Sequence, residues 1–133
     1  MQQSVAVRNA RLEAIEATIG LTPVLKLRSG AVPASCATAD SGTVLATITL
    51  PSDWMAAASG GSKAKLGTWE DISADAAGTV GHFRIYAADG TTCHLQGSVV
   101  MTGGTGDMIV DNTNVAVGQD IIVNTFTLTA GNA

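Results

Sequence analysis

Charged and aromatic side chains are scarce in this chain of 133 residues, at 14% and 4%. An ordinary soluble domain carries about 25% charge. What replaces the charge is Thr, Ser, Ala and Gly, a surface better suited to being covered by neighbouring subunits than to standing alone. Basic residues also run out early. Arg8, Arg11, Lys26 and Arg28 precede position 30, none follows Arg84, and the C-terminal third carries only the acids Asp89, Asp107, Asp111 and Asp120. A net charge of −4 leaves no basic footprint for nucleic acid. The positive start and negative end suit directional docking.

Cysteine is equally sparse. Cys36 and Cys93 make no disulfide framework, and strand alternation places Cys93 on a buried face, where a reduced thiol behaves as a small hydrophobe. The first residues hold no apolar signal-peptide core and no run is long enough to span a membrane, so no membrane partner is expected. The length suits one domain, 1–133, with a core of its own.

The most informative stretch is 78–101. Two alternating runs flank Asp89-Gly90, the signature of a β-hairpin with one buried face. Strict alternation puts Gly81, Phe83, Ile85 and Ala87 inward, with Cys93, Leu95, Gly97 and Val99 beside them. Val80, His82, Arg84 and Tyr86 then face outward, opposite Ser98, Gln96 and His94.

Upstream, Ser4 is an N-cap and Gly20 a stop for a helix in which Val5, Leu12, Ile15 and Ile19 recur at helical spacing. Arg8, Arg11, Glu13 and Glu16 fit its solvated or partner-facing side. After residue 20 the pattern is β. Strands are expected at 23–29 (Leu25 and Leu27 inward), 43–50 (Val44, Ala46, Ile48 and Leu50 on one face), 53–58, 69–73, 107–110 and 120–129. Short strands with turns every 8–12 residues describe an antiparallel β-sandwich, jelly-roll-like, with the N-terminal α-helix (1–20) decorating a sandwich (21–133).

Catalytic and ligand-binding patterns are incomplete. His82, His94 and Cys93 do not converge as zinc ligands, because the register holds the histidines about 13 Å apart. Gly103-Gly104-Thr105-Gly106 lacks the Lys-Ser/Thr ending of a phosphate loop, and Ser62-Lys63 lacks a nucleophile elbow. Asp111-Asn112-Thr113-Asn114 with Asp120 offers oxygens for calcium but more simply supplies turns. Trp54 and Trp69 offer a possible sugar platform or a core anchor. No metal or cofactor is expected. The outward His82, Arg84 and Tyr86, with Arg8 and Arg11 of the helix, are the candidate protein-contact residues, since Arg and Tyr are enriched in interface hot spots.

Five segments carry a family likeness: Arg-Asn-Ala-Arg-Leu-Glu-Ala-Ile at 8–15, Leu-Lys-Leu-Arg-Ser-Gly-Ala-Val-Pro at 25–33, Leu-Ala-Thr-Ile-Thr-Leu at 45–50, Ala-Gly-Thr-Val-Gly-His-Phe-Arg-Ile-Tyr at 77–86 and Asp-Asn-Thr-Asn-Val-Ala-Val-Gly-Gln at 111–119. The set resembles a group of small structural proteins of tailed bacteriophages and prophages, some of them capsid cement or decoration proteins with a jelly-roll-like fold. The resemblance implies a non-enzymatic virion protein on the capsid exterior, assembled in the host bacterial cytoplasm. Its partners would be the major capsid protein and further copies of itself as a homo-oligomer. It carries over no functional residues. A tail or neck component, and a carbohydrate-binding module for host recognition, are the alternatives.

Overall fold

Ser4 caps the N-terminal helix by accepting a hydrogen bond from Val7 N at 3.3 Å. In the computed structural model, which describes residues 1–131, this helix (α1) spans Val5–Ile19 and stops at Gly20, whose φ of 90° favours glycine. Leu12 and Ile19 are buried and Ile15 packs against the core. Val5, expected in the same stripe, is 50% exposed. The buried stripe is therefore short, and polar contacts supply the rest of the attachment.

Nine strands follow: β1 (Val24–Ser29), β2 (Val44–Thr49), β3 (Ser62–Ala64), β4 (Glu70–Asp71), β5 (Gly78–Tyr86), β6 (Cys93–Met101), β7 (Met108–Val110), β8 (Asn114–Val115) and β9 (Ile121–Thr129). They order as β2-β1-β5-β6-β7-β9-β3, with β4 on β9 and β8 on β5. The mainly-β class with one N-terminal helix is as the sequence reads. The strands make one curled, half-barrel sheet, and a two-sheet jelly-roll arrangement is not seen. Nor is the sheet wholly antiparallel, since β6 and β7 run parallel. Gly103, Gly104 and Gly106 allow that short return: a side chain at Gly106 would meet Val100 at 3.0 Å. Ser98 and Asp107 then pin the returning chain, with Ser98 N donating to the Asp107 carboxylate at 2.9 Å. Residues 53–58 form only an isolated bridge, Met55 to Lys65.

The segment after β4 closes the curl. Asp71 accepts from Thr47 N at 2.9 Å, Asp75 accepts from the Thr47 hydroxyl at 2.7 Å, and Asp75 N donates to Leu45 O at 2.8 Å. Since β4 itself pairs with β9, residues 70–75 link the far side of the sheet to β2 and cover its edge. Inside the curl four aromatic rings touch in sequence. Trp54 meets Trp69 at 6.1 Å between centroids, Trp69 meets Phe126 at 5.6 Å, and Phe126 meets Phe83 edge-on at 5.4 Å. The buried indoles are satisfied: Trp54 Nε1 donates to Gly20 O and Trp69 Nε1 to Leu66 O, each at 3.1 Å. Both tryptophans have zero exposure, so neither presents a ring face to a sugar.

Two β-bulges revise the hairpin. In the first, Arg28 pairs with His82 but Ser29 pairs with Val80, so Gly81 is an extra residue. Val80 is consequently in the core instead of beside His82 on the outer face. In the second, Ile85 pairs with Leu95 but Tyr86 pairs with Cys93, which leaves His94 extra. Cys93 therefore shares a face with Tyr86, not with Leu95 and the core. His94 turns instead toward a cleft beside α1 that Arg11, Ile15 and Leu95 also line. A bulge adds one residue to one strand, so alternation inverts beyond it.

Candidate functional site

The outer face of β1, β5 and β6 carries Arg28, His82, Arg84, Tyr86 and Gln96, and strand alternation alone makes it an outward face available for contact. The structure corrects this. His82 and Tyr86 have zero exposure, Arg84 has 2% and Arg28 has 6%. A strap formed by residues 30–42 lies across them. Its composition of Gly, Ala, Pro, Ser and Thr does not build a strand, yet its backbone oxygens and one acid match the groups beneath.

Each anchor is specific. Gly30 O meets His82 Nδ1 at 2.9 Å, and Pro33 O accepts from Gln96 Nε2 at 2.6 Å. Ser35 O accepts from Arg84 Nη2 at 2.9 Å. Asp40 is the hub: one carboxylate oxygen accepts from Arg84 Nη1 and from the Tyr86 hydroxyl, both at 2.7 Å. Its other oxygen pairs with Arg28 at 3.1 Å. Arg28 Nε donates in turn to the Tyr86 hydroxyl at 3.2 Å, and the Lys26 ammonium sits 4.9 Å over the Tyr86 ring.

The electrostatics follow from two guanidiniums sharing one carboxylate. Partial burial pushes the Asp40 carboxyl up, but hydrogen bonds from Tyr86 and Arg84 and the charge of Arg28 outweigh it and hold the group below its ordinary range. Tyr86 is pushed up, first by burial and then by its hydrogen bond to Asp40. His82 Nε2 is buried without a hydrogen-bond partner. Arg84 and Tyr86 direct polar atoms at the strap, and His82 does so through Nδ1.

The remaining candidate contacts, Arg8 and Arg11, join α1 to the end of β9. Arg8 Nε donates to Ala130 O at 2.8 Å, and Arg11 Nη1 donates to Gly131 O at 3.2 Å and to the Gln3 amide oxygen at 2.7 Å. Arg8 is half-buried; of the five candidate contact residues only Arg11 remains exposed.

A second polar anchor was not foreseen. Lys63 is 1% exposed and lies under α1. Its ammonium sits 2.9 Å from Glu13, 3.1 Å from Glu16 and 2.9 Å from Ala56 O. Glu13 also accepts from Ala58 N at 2.6 Å. Burial opposes the Lys63 charge, yet the two glutamates more than offset it and the group titrates above its ordinary value. A lysine kept charged in this way is an anchor, not the base of a Ser-Lys pair. The i, i+3 spacing of Glu13 and Glu16 on a helix was the available signal, but their partner comes from a distant strand.

In the 111–120 segment Asp111 accepts from Asn112 N at 2.9 Å and from Ile122 N of β9 at 3.1 Å, Asn112 accepts from Asn114 N at 3.0 Å, and Asn114 accepts from the Thr79 hydroxyl at 3.4 Å. Among the described residues no group of three or more His, Cys, Asp or Glu is arranged to hold a metal, and no helix is long and apolar enough to cross a membrane. No protein-family model, curated protein or solved structure matches the chain.

Proposed function

We propose that this chain is a non-enzymatic structural protein of a tailed-bacteriophage particle, a capsid cement or decoration protein that binds and stabilises the major capsid protein shell from outside. The family resemblance of its segments suggests the class. The observation that carries the reading is how the surface is divided along β9. Beside the end of β9, α1 exposes Val5, Val7 and Arg11, with Val7 one turn from Arg11. At the start of β9, where β4 pairs, Ile72 and Val117 are 76% and 70% exposed among Asp71, Asp75 and Asp120.

Apolar side chains held on a closed frame, basic at one end and acidic at the other, suit repeated contacts with neighbours. Each contact is weak, and multivalency adds them. Copies of the chain would meet each other and the shell in a closed, symmetric array.

Copy number in purified particles tests the reading. A cement protein is expected near one-to-one stoichiometry with the major capsid protein, by quantitative mass spectrometry or a cryo-EM map. A few copies at one vertex, or copies along the tail, would move the protein to the neck or tail.

A further inference from the structure

Cys36 lies in the middle of the strap, between Ser35, whose carbonyl is bonded to Arg84, and Asp40, which is bonded to Arg84 and Tyr86. Cys93 is the pairing partner of Tyr86, brought to the same face by the bulge at His94. Both thiols are reduced and half-buried and lie within electrostatic reach of each other, while the Cys93 thiol donates to Leu95 O at 3.5 Å. The strap is otherwise held by polar contacts, and Val32 within it is 37% exposed.

We propose that Cys36 and Cys93 form a thiol modification site, closed by a small-molecule disulfide into an intramolecular bond that locks the strap over β5 and β6. In the first step the Cys36 thiolate attacks one sulfur of the oxidant, forming a mixed disulfide and releasing one thiolate. In the second, Cys93 gives up its proton and attacks the Cys36 sulfur. The Cys36–Cys93 bond forms, and the second oxidant thiol leaves with that proton. Two protein thiols are oxidised by two electrons, and one disulfide is reduced to two thiols.

The Cys93 thiol is pushed up to about 12, first by burial and then by the neighbouring Cys36 thiol. It therefore holds its proton at neutral pH, which assigns the first attack to Cys36 and makes closure faster in alkali. Resting on the functional reading above, a particle protein leaves a reducing cytoplasm for an oxidising exterior, and the lock would close on that passage.

The test uses the purified full chain and oxidised glutathione at mildly alkaline pH. Intact mass should fall by two hydrogens with no glutathione retained, and peptide mapping should join Cys36 to Cys93. The melting temperature should rise by on the order of 10 °C, hydrogen exchange across 31–41 should slow, and dithiothreitol should reverse both. The C36S variant should show neither change. A persistent glutathione adduct, or a disulfide-linked dimer, overturns the proposal. An internal bond that leaves exchange of the strap unchanged overturns the lock. All of these outcomes are independent of where the protein sits in a particle.

Discussion

Asp40 and Arg84 meet at 2.7 Å, the carboxylate on a strap with little apolar packing and the guanidinium on a central strand. The same carboxylate pairs with Arg28 at 3.1 Å. One acid thus pairs with two buried cations, and the strap's position depends on it more than on any other side chain.

Replacing that acid should release the strap without dissolving the sheet. Asp40→Ala is expected to cost about 2–3 kcal/mol, below the usual penalty for orphaning a buried pair, because Asp40 is itself 43% exposed and water can re-solvate part of the site. Urea denaturation gives the magnitude, and hydrogen exchange should show the increase concentrated at 31–41. A loss under about 0.5 kcal/mol, the range of ordinary surface changes, would mean the strap is held by its backbone contacts alone.

Lys63 separates charge from volume. Lys63→Ala leaves two glutamates without their cation and a void beneath α1, and should cost about 3 kcal/mol. Lys63→Met leaves the same two glutamates without their cation but fills the void, so it should cost less than Lys63→Ala by about 1–2 kcal/mol. Equal losses from the two variants would contradict this division.

The bulge at Gly81 brings two backbones together. A Cβ at this position would lie 2.1 Å from Gly30 O, the carbonyl bonded to His82. Gly81→Ala should therefore displace the strap at its root and cost about 1–3 kcal/mol. Limited proteolysis should then cut within 30–42, whereas the parent chain stays intact at the same protease concentration. An uncut variant of parental stability would show that the two backbones separate freely.

Acid should weaken the fold at the hairpin tip. Hydrogen bonds from the Thr92 hydroxyl and backbone, then from Thr91 N, hold the Asp89 carboxyl at about 2, against an ordinary 3.8. A carboxyl with a depressed folded pKa binds its proton more readily when unfolded. Its stabilisation is complete above the unfolded value and is lost as pH falls from about 3.8 toward 2. The melting temperature of Asp89→Asn should lie below that of the parent at neutral pH, and the gap should narrow across that window. A constant gap would show that the Asp89 charge has no part in holding the turn.

Much of the fold could be read from local pattern. Ser4 and Gly20 bound the helix because capping is a short-range matter. Leu25 and Leu27 are inward because alternation holds in β1 as far as its bulge. The turn at Asp89 and Gly90 forms as residue type suggests, with Asp89 accepting from Thr91 N and Thr92 N at 2.9 Å. The errors lie where one residue changes the count. Gly81 and His94 are each an extra residue, and they moved Val80 and Cys93 to opposite faces from those expected.

The candidate contact face was misread for a different reason. Alternation correctly separated His82, Arg84 and Tyr86 from Phe83 and Ile85, but which side of a sheet meets solvent depends on what else folds over it. Composition and alternation by themselves determined a low-charge, mainly-β chain with a capped N-terminal helix, because those features depend on neighbours a few residues apart. Tertiary structure alone decided that the strap covers the arginines, that Lys63 holds α1, and that Cys36 meets Cys93. Each is a contact between residues far apart in the chain, made only once the sheet has curled and fixed its register.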